Sequence, residues 1–291
     1  MAYAFDEDTA LEPLPEPGRF RAAISHRWDT VGPPNGGFLL ALAARGLART
    51  VPFPDPVTLT GHFLRPARHS PVEVSVEPVR VGGAHATAMG RLEQDGKEIL
   101  RTLATFADLD KAVSGGSRRH DRGDTPRPPG GPTHGDARPP ALPPPEECVP
   151  IEQLGARQWD DLPGLLPVLY RSIDIRLGRS GSERQENEVA RIEGWVRFTD
   201  GREPDVASLP LLADVFPPAV FDVADASWVP TVELTVHVRG RPAPGWIAAS
   251  FRTKFLCDGY FEEDGELWDS TGRLVALSRQ LALTRDLRPG G

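Results

Sequence analysis

Pro33-Pro34-Asn35-Gly36-Gly37-Phe38-Leu39-Leu40-Ala41-Leu42-Ala43-Ala44-Arg45-Gly46-Leu47 is the stretch that decides the fold of this chain. A Pro-Asn-Gly turn opens it. From Phe38 the run is rich in Ala and Leu with no breaker before Gly46, which predicts a helix. With almost no polar face, that helix needs cover on several sides. Cover is at hand downstream, where residues 57–64, 72–81, 85–93 and 98–106 read as strands, the last two joined by an Asp95-Gly96 hairpin turn. A short strand near residues 19–25 precedes the helix. A curved antiparallel sheet wrapped around one central helix is the packing these elements predict.

The same order returns in the second half. Strand-like segments at 169–177 and 188–198 precede an apolar stretch, 209–221, that contains Leu211-Leu212-Ala213-Asp214. Four further strands follow at 231–238, 246–256, 260–269 and 274–284, with Thr271-Gly272 as the last turn. Residues echo the repeat: His62-Phe63-Leu64-Arg65-Pro66-Ala67 by His237-Val238-Arg239-Gly240-Arg241-Pro242-Ala243, and Asp95-Gly96-Lys97 by Thr271-Gly272-Arg273. Self-similarity of this kind implies one architecture duplicated.

Between the halves, from Ser114 to Pro145, Pro, Gly, Arg and Asp replace large apolar side chains. Such a composition cannot bury enough surface to offset the cost of ordering, which predicts a flexible linker. The expected division is therefore an N-terminal unit over 1–112, a linker over 113–148 and a C-terminal unit over 149–291.

Composition narrows the function classes. The chain has 291 residues, 39% of them hydrophobic, enough for a substantial core. Its net charge is −8, and its basic residues gather in no stripe, so no nucleic-acid partner is expected. Cys148 and Cys257 stand far apart and in no metal-ligand spacing, which favours neither a disulfide framework nor a zinc site. Residues 1–17 are acidic without an apolar run of signal-peptide length, and no stretch is long enough to span a bilayer. The expectation is a cytoplasmic protein with no membrane partner, whose outer sheet edges leave room for a homo-oligomer.

Five segments carry a resemblance: Pro34-Asn35-Gly36-Gly37-Phe38, His62-Phe63-Leu64-Arg65-Pro66, Trp228-Val229-Pro230-Thr231-Val232-Glu233-Leu234, Glu263-Asp264-Gly265-Glu266-Leu267-Trp268-Asp269 and Ser278-Arg279-Gln280-Leu281-Ala282-Leu283. In order and spacing the chain resembles the double-hotdog acyl-CoA thioesterases, the acyl-CoA thioesterase II type and its actinobacterial relatives. The resemblance implies an α+β fold of two tandem hotdog units, hydrolysis of acyl-CoA to a carboxylic acid and CoA, and neither cofactor nor metal. It also implies that Asp214, Thr231 and Gln280 hold the attacking water. One departure is Thr235-Val236-His237-Val238, where the best-known bacterial enzymes carry an aromatic and His-containing strand; it bears on what the resemblance implies for acyl-chain preference more than for the reaction.

Each of these residues has a plainer reading beside the chemical one. Asp214 fits a water-activating carboxylate or a helix-end cap beside Pro217-Pro218. Thr231 is an ordinary β-branched residue at the start of a strand. Period-two counting puts Gln280 on one face with the small residues Ala276, Ser278 and Ala282, where it is either a satisfied core amide or a ligand group. Aligning the halves sets Ala104 opposite Gln280 and Pro56 opposite Thr231, so one catalytic centre per chain is expected. Asn35, Gly36 and Gly37 open a helix and offer N–H groups for an oxyanion or phosphate, or form a plain turn. The expectation is that this helix start faces Asp214 and polarises the thioester carbonyl. His62 and Arg65 are candidate substrate-binding residues, although His62 and His85 also read as packed histidines and Arg65, Arg80 and Arg241 as solvated charge. No Gly-x-Ser-x-Gly occurs, which disfavours an acyl-serine mechanism. A non-catalytic acyl-CoA sensor stays open, as does an enoyl-thioester hydratase, which would need a His and an acidic residue in no pattern found here.

Overall fold

The computed structural model describes residues 2–110, 137–153, 166–178, 190–224 and 229–284. Most of the expected linker, 113–136, lies outside the described residues, as do Trp228 and the first residues of the strand expected from 188.

The first half contains α1 (Ala4–Asp8), β1 (Glu12–Pro13), β2 (Arg19–Ala23), α2 (Gly36–Ala48), β3 (Asp55–Phe63), β4 (Pro71–Val81), β5 (Ala86–Gln94) and β6 (Lys97–Ala107). Helix α2 is the expected central helix. Asn35 caps it, its side chain accepting the Phe38 N–H at 2.8 Å, and every residue from Gly37 to Ala44 is buried. The hairpin between β5 and β6 turns on Asp95 and Gly96, both at positive φ, as a two-residue turn of matching twist requires.

The second half contains β7 (Val149–Pro150), β8 (Ile173–Leu177), β9 (Ala190–Phe198), α3 (Leu209–Leu212), β10 (Thr231–Val238), β11 (Ile247–Thr253), β12 (Leu256–Cys257), β13 (Tyr260–Trp268) and β14 (Leu274–Leu283). Two expectations are corrected here. The apolar stretch 209–221, which the repeated order sets in the place of the second helix, is helical only in part: α3 is one turn, and a 3-10 turn, Ala219–Asp222, follows it. Pro217 and Pro218 have no N–H to continue a helix and push the residue before them out of helical geometry. The strand expected from 169 begins only at Ile173, behind a 3-10 turn, Val168–Arg171. Residues at the end of the expected linker are also built into the fold. Leu142 lies against Gly178, and the Trp195 indole N–H donates to the Pro143 carbonyl at 2.8 Å.

Among the described residues all strands join one antiparallel sheet, ordered β1-β2-β4-β5-β6-β3-β10-β14-β13-β11-β9-β8-β7, with β12 on β13. The halves meet at β3 and β10, where Leu59 faces Val236, Thr60 faces Thr235, Gly61 faces Leu234 and His62 faces Glu233. Beyond the seam the registers match: Leu59 faces Ala104 as Leu234 faces Gln280. An approximate twofold axis thus runs between Thr60 and Thr235, whose hydroxyl oxygens lie 2.8 Å apart. At the helix level α2 also crosses the seam. Gly37 approaches α3 so closely that a Cβ there would lie 2.4 Å from the Pro210 carbonyl oxygen.

Candidate active site

Asp214 follows the single turn of α3, at the point where the chain leaves the helix. The amino end of α2 points at its carboxylate. Oδ2 accepts the Gly37 N–H at 2.7 Å and the Asn35 side-chain amide at 3.1 Å, and the same amide donates to the Asp214 carbonyl at 2.7 Å. The helix dipole adds a favourable field. Apolar surroundings act the other way: burial pushes the Asp214 carboxyl up to about 6, against the pull of the Gly37 N–H and the Asn35 amide.

Asp214 is half-buried in the wall of a cavity of about 540 Å³. Thr231, Gln280, Asn35, Gly36 and Arg65 share that cavity, and Phe63, Tyr170, Phe216 and Phe251 supply much of its apolar wall. Volume and lining suit a small-molecule site. Thr231 opens β10 and its hydroxyl donates to Gln280 Oε1 at 3.2 Å. Gln280, on β14, donates through Nε2 to Glu263 Oε1 at 3.1 Å, and the other Glu263 oxygen accepts the Ala219 N–H at 2.5 Å. Burial, with the nearby Asp214 charge, pushes the Glu263 carboxyl up to about 8, while the Ala219 N–H and the Gln280 amide pull it down.

The structure therefore brings Asp214, Thr231, Gln280, Asn35, Gly36 and Arg65 to one cavity, with Gly37 behind Asp214. The role expected for the helix start changes. The Gly37 N–H and the Asn35 amide are spent on the Asp214 carboxylate, so they hold the acid rather than standing free for an oxyanion. His62 does not line the cavity; it is exposed on β3, between Arg101 and Glu233 on the neighbouring strands. His85 is exposed as well, so neither is the packed histidine of the plainer reading. Arg241 is paired with Asp55 at 2.8 Å and Asp110 at 3.3 Å, across the seam. Arg65 stands at the cavity with one guanidinium nitrogen donating to the Glu98 carbonyl at 2.6 Å.

Glu263 is the site residue that sequence reasoning missed. The signal was present: it alternates in phase with Phe261, Gly265 and Leu267 along β13, all buried.

Residues 24–107 match the family model described as the acyl-CoA thioesterase N-terminal domain, and residues 145–284 match the one described as the acyl-CoA thioesterase C-terminal domain. The chain belongs to the acyl-CoA thioesterase family. Among solved structures it is similar to a putative thioesterase II from Thermobifida fusca, at 28% identity and a TM-score of 0.79, covering 97% of this chain and 98% of that one. A protein of unknown function with a hot dog fold from Alicyclobacillus acidocaldarius is similar at 25% identity and a TM-score of 0.79, both chains being covered in full. An uncharacterised protein of Mycobacterium tuberculosis is 28% identical over 302 residues, covering 97% of this chain and 99% of its own. For this family member the antiparallel sheet and few helices make an α+β fold, and no described helix is long and apolar enough to cross a membrane.

Proposed function

We propose that this chain is a double-hotdog enzyme that hydrolyses acyl-CoA thioesters with a water activated by Asp214. The observation that carries the reading is the Asp214 carboxylate, held on one oxygen by the α2 amino end, in an apolar cavity it shares with Thr231 and Gln280. Its other oxygen takes a proton from water as the water oxygen bonds to the thioester carbon, and the carbonyl oxygen becomes negative. Collapse of that adduct breaks the carbon–sulfur bond, and the proton passes to the leaving thiolate. The Thr231 hydroxyl and the Gln280 amide orient the water, the apolar wall takes the acyl chain, and Arg65 meets the CoA phosphates at the mouth. The matching registers on either side of Thr60 and Thr235 support two hotdog units, of which only the second carries the polar set.

A hydratase is less well supported, because no histidine is among the described residues lining the cavity. Thiol release from a panel of short, medium and long acyl-CoAs tests the proposal. Asp214→Asn keeps an oxygen for the Gly37 N–H, so it is expected to fold and bind acyl-CoA while losing roughly 10²- to 10⁴-fold in kcat. The wild-type rate is expected to fall about tenfold per pH unit below about 6, where the carboxylate is protonated. Binding without thiol release at any chain length would establish a sensor instead, and undiminished turnover by the variant would remove Asp214 from the mechanism.

A further inference from the structure

Beside the cavity, but outside its lining, three side chains from two separate segments converge on one point. His26 opens a 3-10 turn, His26–Trp28, Asp29 ends it, and His69 comes from the connection between β3 and β4. The Asp29 carboxylate is buried and presents one oxygen to each ring: Oδ2 lies 3.1 Å from His26 Nδ1 and Oδ1 lies 2.6 Å from His69 Nε2. The two imidazoles stack with centroids 3.4 Å apart and planes 22° apart, and the candidate ligand atoms all lie within 4.8 Å of one another. Among the described residues no Lys or Arg ion pair neutralises Asp29; Arg27 is turned to Asp8 and Glu7, and Arg68 to Asp95.

We propose that His26, Asp29 and His69 form a binding site for a divalent transition cation of the Zn²⁺ class. Two imidazoles and one carboxylate are the donor types such an ion takes, and three protein ligands leave a fourth position for water. Bonds of about 2.0–2.1 Å in a tetrahedral arrangement separate ligand atoms by roughly 3.3 Å, so the 2.6 Å pair of Asp29 Oδ1 and His69 Nε2 opens by roughly 0.7 Å while atoms up to 4.8 Å apart draw together, a rearrangement of side chains alone. A carboxylate held against water by its surroundings gains from a cation what it lacks from an arginine. Linear spacing hid this set, because Asp29 and His69 are brought together only by the fold.

The ion's place implies a structural role at the cavity rim. Thr30, Val31 and Pro33, just past Asp29, line the cavity, and so do Pro66 and Ala67, just before His69. The Asp29 carbonyl also accepts the Leu169 N–H at 3.1 Å, beside Tyr170 of the wall. One ion would tie these rim segments together without touching the reacting atoms.

The test is Zn²⁺ binding by the purified full chain after chelator treatment, read by competition with a chromophoric chelator and by thermal unfolding. Wild type is expected to take up one equivalent and to melt at a higher temperature with Zn²⁺, reversibly on adding chelator. The double variant His26→Ala/His69→Ala is expected to lose both the equivalent and the shift. His62→Ala/Cys257→Ser, which removes an exposed histidine and the exposed cysteine elsewhere, is expected to keep both. Circular dichroism of the apo proteins confirms that the variants are folded. No uptake by wild type, or equal uptake by wild type and the His26/His69 variant, overturns the proposal, whichever way the thiol-release assay comes out.

Discussion

Asp214 and Glu263 are two carboxyl groups in one apolar pocket whose surroundings push their ionisation apart, to about 6 and about 8. Above about pH 6 Asp214 is a carboxylate able to accept a proton, while Glu263 still holds one. Glu263 lines the same cavity as Gln280, and its bonds to the Gln280 amide and the Ala219 N–H fix where that amide points. Its raised ionisation has a consequence for stability. The folded chain keeps a proton on Glu263 that the unfolded chain releases near the ordinary value of 4.5, so this contribution is full below that pH and is lost as pH rises through about 8. Asp214 acts in the same direction but is spent by about pH 6. Urea unfolding at pH 6 and pH 8 therefore isolates Glu263: wild type is expected to lose stability relative to Glu263→Gln by up to about 1.4 kcal/mol per pH unit across that window. Parallel stabilities of the two proteins over the window would show that Glu263 is ionised throughout.

At the scale of elements, the site exists because α2 can come down onto α3 with nothing but hydrogen at Gly37. A methyl there would meet the Pro210 carbonyl oxygen at 2.4 Å and the Asp214 Cβ at 2.7 Å, and neither can swing aside. Gly37→Ala is expected to cost about 1–3 kcal/mol in stability and to lower turnover by loosening the hold on Asp214, with the acid limb of the rate profile moving to higher pH as the N–H bond weakens. Gly36→Ala meets the edge of the Phe63 ring at 2.9 Å, which can turn, and the Asp214 Oδ2 at 3.1 Å, a milder approach than the backbone contact at Gly37. It is expected to cost less stability, and denaturant midpoints with pH–rate profiles of the two variants check the contrast. These elements were legible to different degrees. Helix α2 and strands β3 to β6 were readable because an unbroken Ala-Leu run and period-two alternation are local signals. Helix α3, expected from the repeated element order, is shorter than its counterpart α2, because the apolar run 209–221 is interrupted by Pro217 and Pro218. The bond between Gly37 and Asp214 joins residues remote in sequence, and only their convergence on one family pattern suggested it. Glu263 was readable from strand alternation, whereas the meeting of Asp29 with His69 depends on the fold of a connection that has no periodicity.

At the scale of the whole molecule, the halves share their sheet, their helix contact and their charges. Strands β3 and β10 pair along the seam, and α2 of the first half holds the Asp214 of the second. The acidic N-terminal segment, which composition marks only as charged, adds a third tie. Phe5 is fully buried against Trp28 and Phe198, and Asp6 bonds both Arg45 of the first half and the buried Arg202 of the second. With three such connections neither half is expected to unfold alone. Trp28 reports on the first half and Trp268 on the second, so two variants that each keep one of these as the sole tryptophan give separate views of one denaturation. Coincident midpoints are expected, together with loss of thiol release at the same denaturant concentration. Asp6→Asn in each background is expected to lower both midpoints together, with a loss of unfolding free energy on the order of 1 kcal/mol, because Arg202 keeps Asp205 as a partner. If the Trp28 and Trp268 transitions separate, the halves are independent domains, and the hold of α2 on Asp214 is then a docking contact that can open while both remain folded.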